Sequence, residues 1–190
     1  MNVAIILAAG ESRRLGEPKQ LLPFAGKTML ERVIDAFTTP KVDEILVVLG
    51  YRAGAIARHL GRARRVDNPD YKDGMFTSVQ AGLRALPAGT KLVLLGLCDQ
   101  PRLQRATVEE LVGRFSGKIL IPTFNGRQGH PLMFEARYAK EILTLGEGLT
   151  LKHFLANHPD EITRSPVDDD GVIIDIDDRA SYERELQRDT

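Results

Sequence analysis

Apolar residues fall along this chain in two alternating patterns. Residues 2–8, 44–49 (EILVVL) and 91–97 (KLVLLGL) are nearly continuous apolar runs. Runs of that kind suit strands covered on both faces. Between the first two, Met29, Leu30, Val33, Ile34 and Phe37 recur at helical spacing. Thr28 and Glu31 stand at the spacing of a capping box, which predicts a helix start there. The same reading predicts helices over 53–60, 77–86 and 105–115 and short strands over 63–66 and 118–121. In the last third it predicts strands over 131–134 and 172–176 and helices over 149–156 and 179–186.

Strands and helices thus alternate for most of the chain. The expectation is an α/β fold, a Rossmann-like three-layer sandwich with a mostly parallel sheet and right-handed crossovers. Ligands of such sheets sit beyond the carboxyl ends of the strands. Three polar loops fall there, after Leu7, after Val66 and after Leu97. No linker or repeat interrupts the chain. One domain is expected over 1–190, with regular alternation over 1–122 and a less regular C-terminal part at 123–190.

Composition narrows the partners. Lys plus Arg and Asp plus Glu number 26 each in 190 residues, so no general positive field draws nucleic acid or an acidic membrane. Any phosphate chemistry must come from a local cluster. A single cysteine, Cys98, allows no internal disulfide and suits a reducing cytoplasm. Beside no patterned His, it reads as a small buried residue rather than a nucleophile. The N-terminal apolar run lacks a basic flank and reads as a strand rather than a signal peptide. No run reaches the length of a membrane span.

The loop after the first strand is the strongest candidate site. It ends in Gly26-Lys27-Thr28, which mimics a P-loop, but the first glycine of that motif would fall on Leu21. The G-x-G-x-x-G fingerprint is absent too. What remains is chemistry. Ala8, Ala9 and Gly10 are small enough for backbone N–H groups to approach a ligand. Arg13, Arg14 and Lys19 follow with positive charge, and the loop exceeds the usual βα length of ~2–6 residues.

Other candidates carry two readings each. Asp99, after KLVLLGL, is either the cap of the next helix or a Mg²⁺ carboxylate beside phosphates. Asn68 and Ser78 are either turn and cap residues or contacts to a nucleotide. The segment 126–131 (GRQGHP) is a structural turn or a substrate loop that includes Arg127 and His130. The four His residues show no zinc spacing. Asp168 to Asp170 read as a solvated loop. Asp175 and Asp177 end the expected strand at 172–176 and share a face, so one of them is a candidate metal ligand.

"LAAGESRRLGEPKQLLPFAGKTML" resembles the signature loop of GT-A type nucleotidyltransferases. "NPDYKDGMFTSVQAGL", "LCDQP" and "GRQGHPLMF" make the chain similar to the MobA/MocA group, nearest its cytidylyltransferase branch. The resemblance implies transfer of a nucleotide, CMP from CTP, to the phosphate of a molybdopterin-type acceptor. It implies Mg²⁺ as cofactor and a molybdoenzyme or its chaperone as receiving partner. By position it implies that Leu7, Ala8, Ala9 and Gly10 hold base and ribose, and that Arg14 and Lys19 grip the triphosphate. Asn68 and Ser78 touch the nucleotide, Asp99 and Asp177 bind metal, and Arg127 and His130 face the acceptor. Three segments depart from the group. Phe76-Thr77 stand where serines are common, 146–152 (GEGLTLK) lacks the usual Gly-Asp-x-Gly-Ala-Arg character, and "DIDDRASYE" replaces an Asp-Thr-Pro ending. Rival expectations are another phosphorylated acceptor, such as a sugar or polyol phosphate, and a non-catalytic nucleotide-binding module.

Overall fold

The computed structural model of the chain describes residues 1–146 and 148–188, so Glu147 in the divergent 146–152 segment lies outside the described residues. The apolar run Asn2–Ala8 forms the central strand β1. It pairs in parallel with Glu44–Leu49 on one side and with Leu92–Leu97 on the other. Numbered in chain order, the strands are β1, Pro23–Phe24 (β2), Lys27–Thr28 (β3), Glu44–Leu49 (β4), Arg64–Asp67 (β5), Leu92–Leu97 (β6), Ile119–Phe124 (β7), Arg127–Gln128 (β8), Leu132–Glu135 (β9) and Ile162–Pro166 (β10). The main sheet runs β10-β7-β9-β6-β1-β4-β5, with β8 folded back on β7. Strand β9 runs antiparallel to both β6 and β7, while the remaining pairs along that path are parallel.

The helices are Met29–Phe37 (α1), Ala53–Ile56 (α2), Met75–Arg84 (α3), Arg105–Arg114 (α4), Ala139–Leu143 (α5), Leu151–Asn157 (α6) and Arg179–Gln187 (α7). The pleat of the sheet sorts alternate residues into two cores. Ala4, Ile6 and Ala8 of β1 pack on one face against Leu30 and Phe37 of α1 and Leu111 of α4. Val3, Ile5 and Leu7 pack on the other against Val79 and Leu83 of α3 and Phe154 of α6. These are the expected three layers. Among the described residues no helix is long and apolar enough to cross a membrane.

The sequence reading departs from the structure mainly in the last third. The expected strand at 172–176 is not a strand. Asp170–Val172 forms a 3₁₀ turn, and the following residues run irregularly across the ends of the sheet. The parallel edge strand is instead β10, whose sequence ITRSP has only Ser165 buried. Asp169 is also no solvated residue. It is 3% exposed and accepts hydrogen bonds from Gln104 N at 3.0 Å and Thr107 Oγ1 at 2.7 Å, capping α4 from a distant part of the chain. The expected helix at 53–60 is α2 followed by the 3₁₀ turn Ala57–His59.

Candidate functional site

The parallel strands β1, β4, β5 and β6 end on the same edge, and the three polar loops meet there. The loop after β1 leaves the sheet at Ala9 and returns in a 3₁₀ turn, Lys19–Leu21. Ser12 and Gly16 adopt positive φ within it, and Ser12 Oγ accepts from Lys19 N at 3.0 Å. This internal bond fixes where Lys19 leaves the loop. The Gly26-Lys27-Thr28 ending stands apart from it. Gly26 lies in the turn of the β2–β3 hairpin, Lys27 pairs with Asp35, and Thr28 with Glu31 makes the expected capping box on α1.

A cavity of about 210 Å³ opens at this edge, lined in part by Leu7, Ala9, Gly10, Lys19, Ser78 and Asp99. Six of the candidates thus share one wall-to-wall space. Ala8 is buried behind it. Asn68 does not line the cavity. It is 3% exposed, and its amide donates to Thr77 Oγ1 and to Ser78 Oγ, both at 2.9 Å. Asn68 therefore orients the hydroxyl of Ser78 at the start of α3. Arg127 lies exposed on the β7–β8 hairpin and is not among the cavity's lining residues. Helix α3 starts after Gly74 with no side-chain cap, which leaves its first N–H groups for other acceptors.

The electrostatic centre is Lys19. Its ammonium donates to Asp99 Oδ2 at 2.9 Å, to Asp177 Oδ1 at 2.8 Å and to the carbonyl of Ile176 at 3.2 Å. Burial would pull the Lys19 pKa down, but Asp99 and Asp177 outweigh it and hold it above the ordinary lysine value. Asp177 is correspondingly held below the usual carboxylate range, first by the Lys19 hydrogen bond. Arg14 reaches Asp177 at 3.1 Å from the solvent side. Arg13, by contrast, is largely exposed and pairs with Glu11.

Further groups surround this centre. Burial pushes Asp175 up, with Asp99 adding to the shift, and its Oδ1 accepts from Gln100 Nε2 at 2.8 Å. Asp175 and Asp177 both reach the site, though from the irregular segment rather than from a strand end. Burial pulls the His130 imidazole below its ordinary value, partly opposed by Asp99, so the ring is neutral near pH 7. Cys98 is pushed up to about 12, chiefly by burial, and is no nucleophile at neutral pH. Gln20 and Gln100, both fully buried, carry no chemistry that their sequence positions betray. Gln20 bonds carbonyls at the start of its own loop and Gln100 reaches the distant Val172, and no residue pattern signals either.

Carboxylates beside a phosphate-sized cavity raise the matter of a divalent cation. Among the described residues no three His, Cys, Asp or Glu side chains form a ready metal cage. Asp99 Oδ1 is nevertheless buried without a hydrogen-bond partner. An all-oxygen pair such as Asp99 and Asp177 suits a hard cation that takes its other ligands from phosphate and water.

A long loop of small and basic residues after β1 and a carboxylate at the end of the neighbouring strand β6 together suit phosphate and a hard cation. Residues 4–162 match the family model described as MobA-like NTP transferase domain, and the chain belongs to that family of nucleotidyltransferases. Among curated relatives, it is 30% identical over 132 residues to the molybdenum cofactor cytidylyltransferase of Escherichia coli K12, covering 68% of this chain and 67% of that one. It is 36% identical over 144 residues to the nicotine blue oxidoreductase of Paenarthrobacter nicotinovorans, covering 70% of each. Some bifunctional relatives are matched over only 21–26% of their own length. Among solved structures, Rv0371c of Mycobacterium tuberculosis H37Rv superposes with a TM-score of 0.85 at 25% identity, over 98% of this chain and 97% of that one. That protein has also been solved in complex with manganese.

Proposed function

We propose that this nucleotidyltransferase moves CMP from CTP to the phosphate of a molybdopterin-type acceptor, releasing pyrophosphate. The observation that carries the reading is the Lys19 ammonium held between Asp99 and Asp177 on the wall of a cavity at the carboxyl edge of the sheet. The acceptor phosphate attacks the α-phosphorus in line, and the bond to the bridging oxygen of pyrophosphate breaks. An attacking phosphate is already anionic, so no strong base is required, and none stands in the cavity wall. Catalysis then rests on position and charge.

In this reading Leu7, Ala8, Ala9 and Gly10 hold base and ribose through the backbone. Ser78, oriented by Asn68, bonds the nucleotide. Lys19 leaves its carboxylates for the phosphates as they enter, and Arg14 follows from the rim. Asp99 and Asp177 would hold Mg²⁺, which neutralises phosphate charge when bound. His130, close enough to Asp99 to feel its charge, and Arg127, on the hairpin before it, face the acceptor. The relative from Escherichia coli supports CTP and the molybdenum cofactor. We extend the proposal to one domain over 1–190, divided in function at 122, and to a cytoplasmic setting that keeps Cys98 reduced. The product would pass to a molybdoenzyme or its chaperone.

A second reading, transfer to another small phosphorylated acceptor, is favoured by the divergent 146–152 segment. Pyrophosphate release from CTP, GTP, ATP and UTP, each with molybdopterin, sugar phosphates and polyol phosphates and with Mg²⁺ or Mn²⁺, separates the two. The proposal expects CTP with molybdopterin to lead and chelation by EDTA to stop turnover. Release that prefers another acceptor supports the second reading, and no release in any combination refutes both.

A further inference from the structure

Gln20 has no part in the chemistry above, yet it is the most completely enclosed polar side chain of the molecule's described residues, at 0% exposure. It follows Lys19 in the 3₁₀ turn and lies against the loop that leaves β1. Its Nε2 donates to the carbonyl of Ala8 at 2.8 Å and to that of Gly10 at 3.1 Å. The carbonyl between them, Ala9, accepts from Tyr51 N at 3.0 Å. Three successive carbonyls are therefore drawn toward the protein. In a planar trans peptide the N–H of the next residue points opposite to each carbonyl. The N–H groups of Ala9, Gly10 and Glu11 are thereby turned away from these donors.

Both hydrogens of the Gln20 amide are used in this way, and its Oε1 is buried with no partner. A methionine of similar length would fill the same space without stranding an acceptor, so packing alone does not account for a glutamine here. What only the amide does is hold the carbonyls of Ala8 and Gly10 together. Ala9, Gly10 and Gln20 all line the cavity that also contains Lys19 and Asp99.

We propose that Gln20 is a positioning residue for the nucleotide. It clamps the 8–10 backbone so that successive N–H groups stand ready as donors to acceptor atoms of a nucleoside triphosphate. Preformed donors cost little reorganisation on binding. Gln20 thus acts in binding, through the backbone, while Lys19 beside it acts on phosphate charge. The inference rests on the reading that a nucleoside triphosphate occupies this loop.

The test compares Gln20→Met with Leu21→Ala, a neighbouring change that only removes apolar packing in the same turn. Calorimetric titration with CTP and Mg²⁺, steady-state kinetics and thermal melting are measured for each. Gln20→Met is expected to weaken CTP binding and raise KM by roughly tenfold or more, with kcat at saturating CTP within about threefold of wild type. Leu21→Ala is expected to lower the melting temperature without weakening CTP. Unchanged CTP affinity in Gln20→Met, or equal weakening in Leu21→Ala, overturns the proposal. Hydrogen exchange on the wild-type chain keeps the idea testable if Gln20→Met does not fold. The amides of residues 9–11 should exchange freely and become protected by CTP, and no added protection overturns it. A wild-type chain that binds no nucleoside triphosphate would instead refute the proposed function.

Discussion

Replacing Lys19 by methionine keeps the length of the side chain and removes its charge. The ammonium serves two carboxylates whose surroundings differ. Asp99 is 20% exposed and Asp177 40%, while Lys19 itself is 12% exposed. Breaking a fully buried pair from one side costs about 3–5 kcal/mol, whereas an exposed pair contributes only ~0.2–1 kcal/mol. The Asp99 contact lies nearer the first case and the Asp177 contact nearer the second. Asp99 and Asp175 would also be left as near neighbours with less cation between them. A loss of roughly 1–3 kcal/mol is expected, discounted for solvent at Asp177. For a chain of this size that lowers the melting temperature by roughly 2–12 °C. The catalytic effect should be larger, about 100- to 1000-fold in turnover, because the same charge meets the phosphates. Lys19→Arg should recover stability better than rate, since a planar guanidinium replaces a compact point charge. Melting followed by circular dichroism and pyrophosphate release measure the two effects separately. A Lys19→Met variant with wild-type melting and wild-type turnover would refute the electrostatic account of the site.

Two further outcomes follow from contacts away from the cavity. Asp169→Ala removes the acceptor for Gln104 N, Thr107 Oγ1 and Gly171 N, and should cost about 2–5 kcal/mol, or roughly 4–20 °C in melting temperature. A melt within the noise of wild type would show that α4 needs no distant cap. His158 lies between Glu141 and Glu161, and the hydrogen bond to Glu141 leads in raising its pKa. A raised pKa in the folded state stabilises below the unfolded value of ~6.5, and that contribution is lost as pH rises through the folded value. The difference in melting temperature between wild type and His158→Gln should therefore be largest near pH 6 and shrink toward pH 9, and a gap that grows with pH would refute it.

Much of the architecture was legible because it rests on local rules. The buried runs at 2–8, 44–49 and 91–97 announced strands, and Thr28 with Glu31 announced the start of α1. The loop candidates Leu7, Ala9, Gly10, Lys19, Ser78 and Asp99 converge because strands of one direction end on one edge. The misreadings share a physical cause. Residues 172–176 (VIIDI) are apolar because they are pressed over the sheet ends, not because they alternate within a ladder. Gly171 packs so closely on the Arg102–Leu103 backbone that a Cβ there would fall 2.6 Å from it. Conversely, β10 lies at the sheet's edge with solvent beside it, so its polar sequence carries no strand signal. Asp169 and Gln20 owe their importance to partners that a linear reading does not bring near, or to backbone carbonyls that no residue type reveals.

The segment from Asp169 to Asp177 has both a structural and a chemical duty. One end caps a core helix, the middle accepts from His130 N and Gln100 Nε2 at the carbonyl of Val172, and the far end delivers Asp177 to Lys19. If these nine residues peel from the sheet, α4 frays and the carboxylate departs in the same event. Partly opened molecules would then be silent rather than sloppy, so activity in this protein doubles as a gauge of how firmly its last strap is fastened.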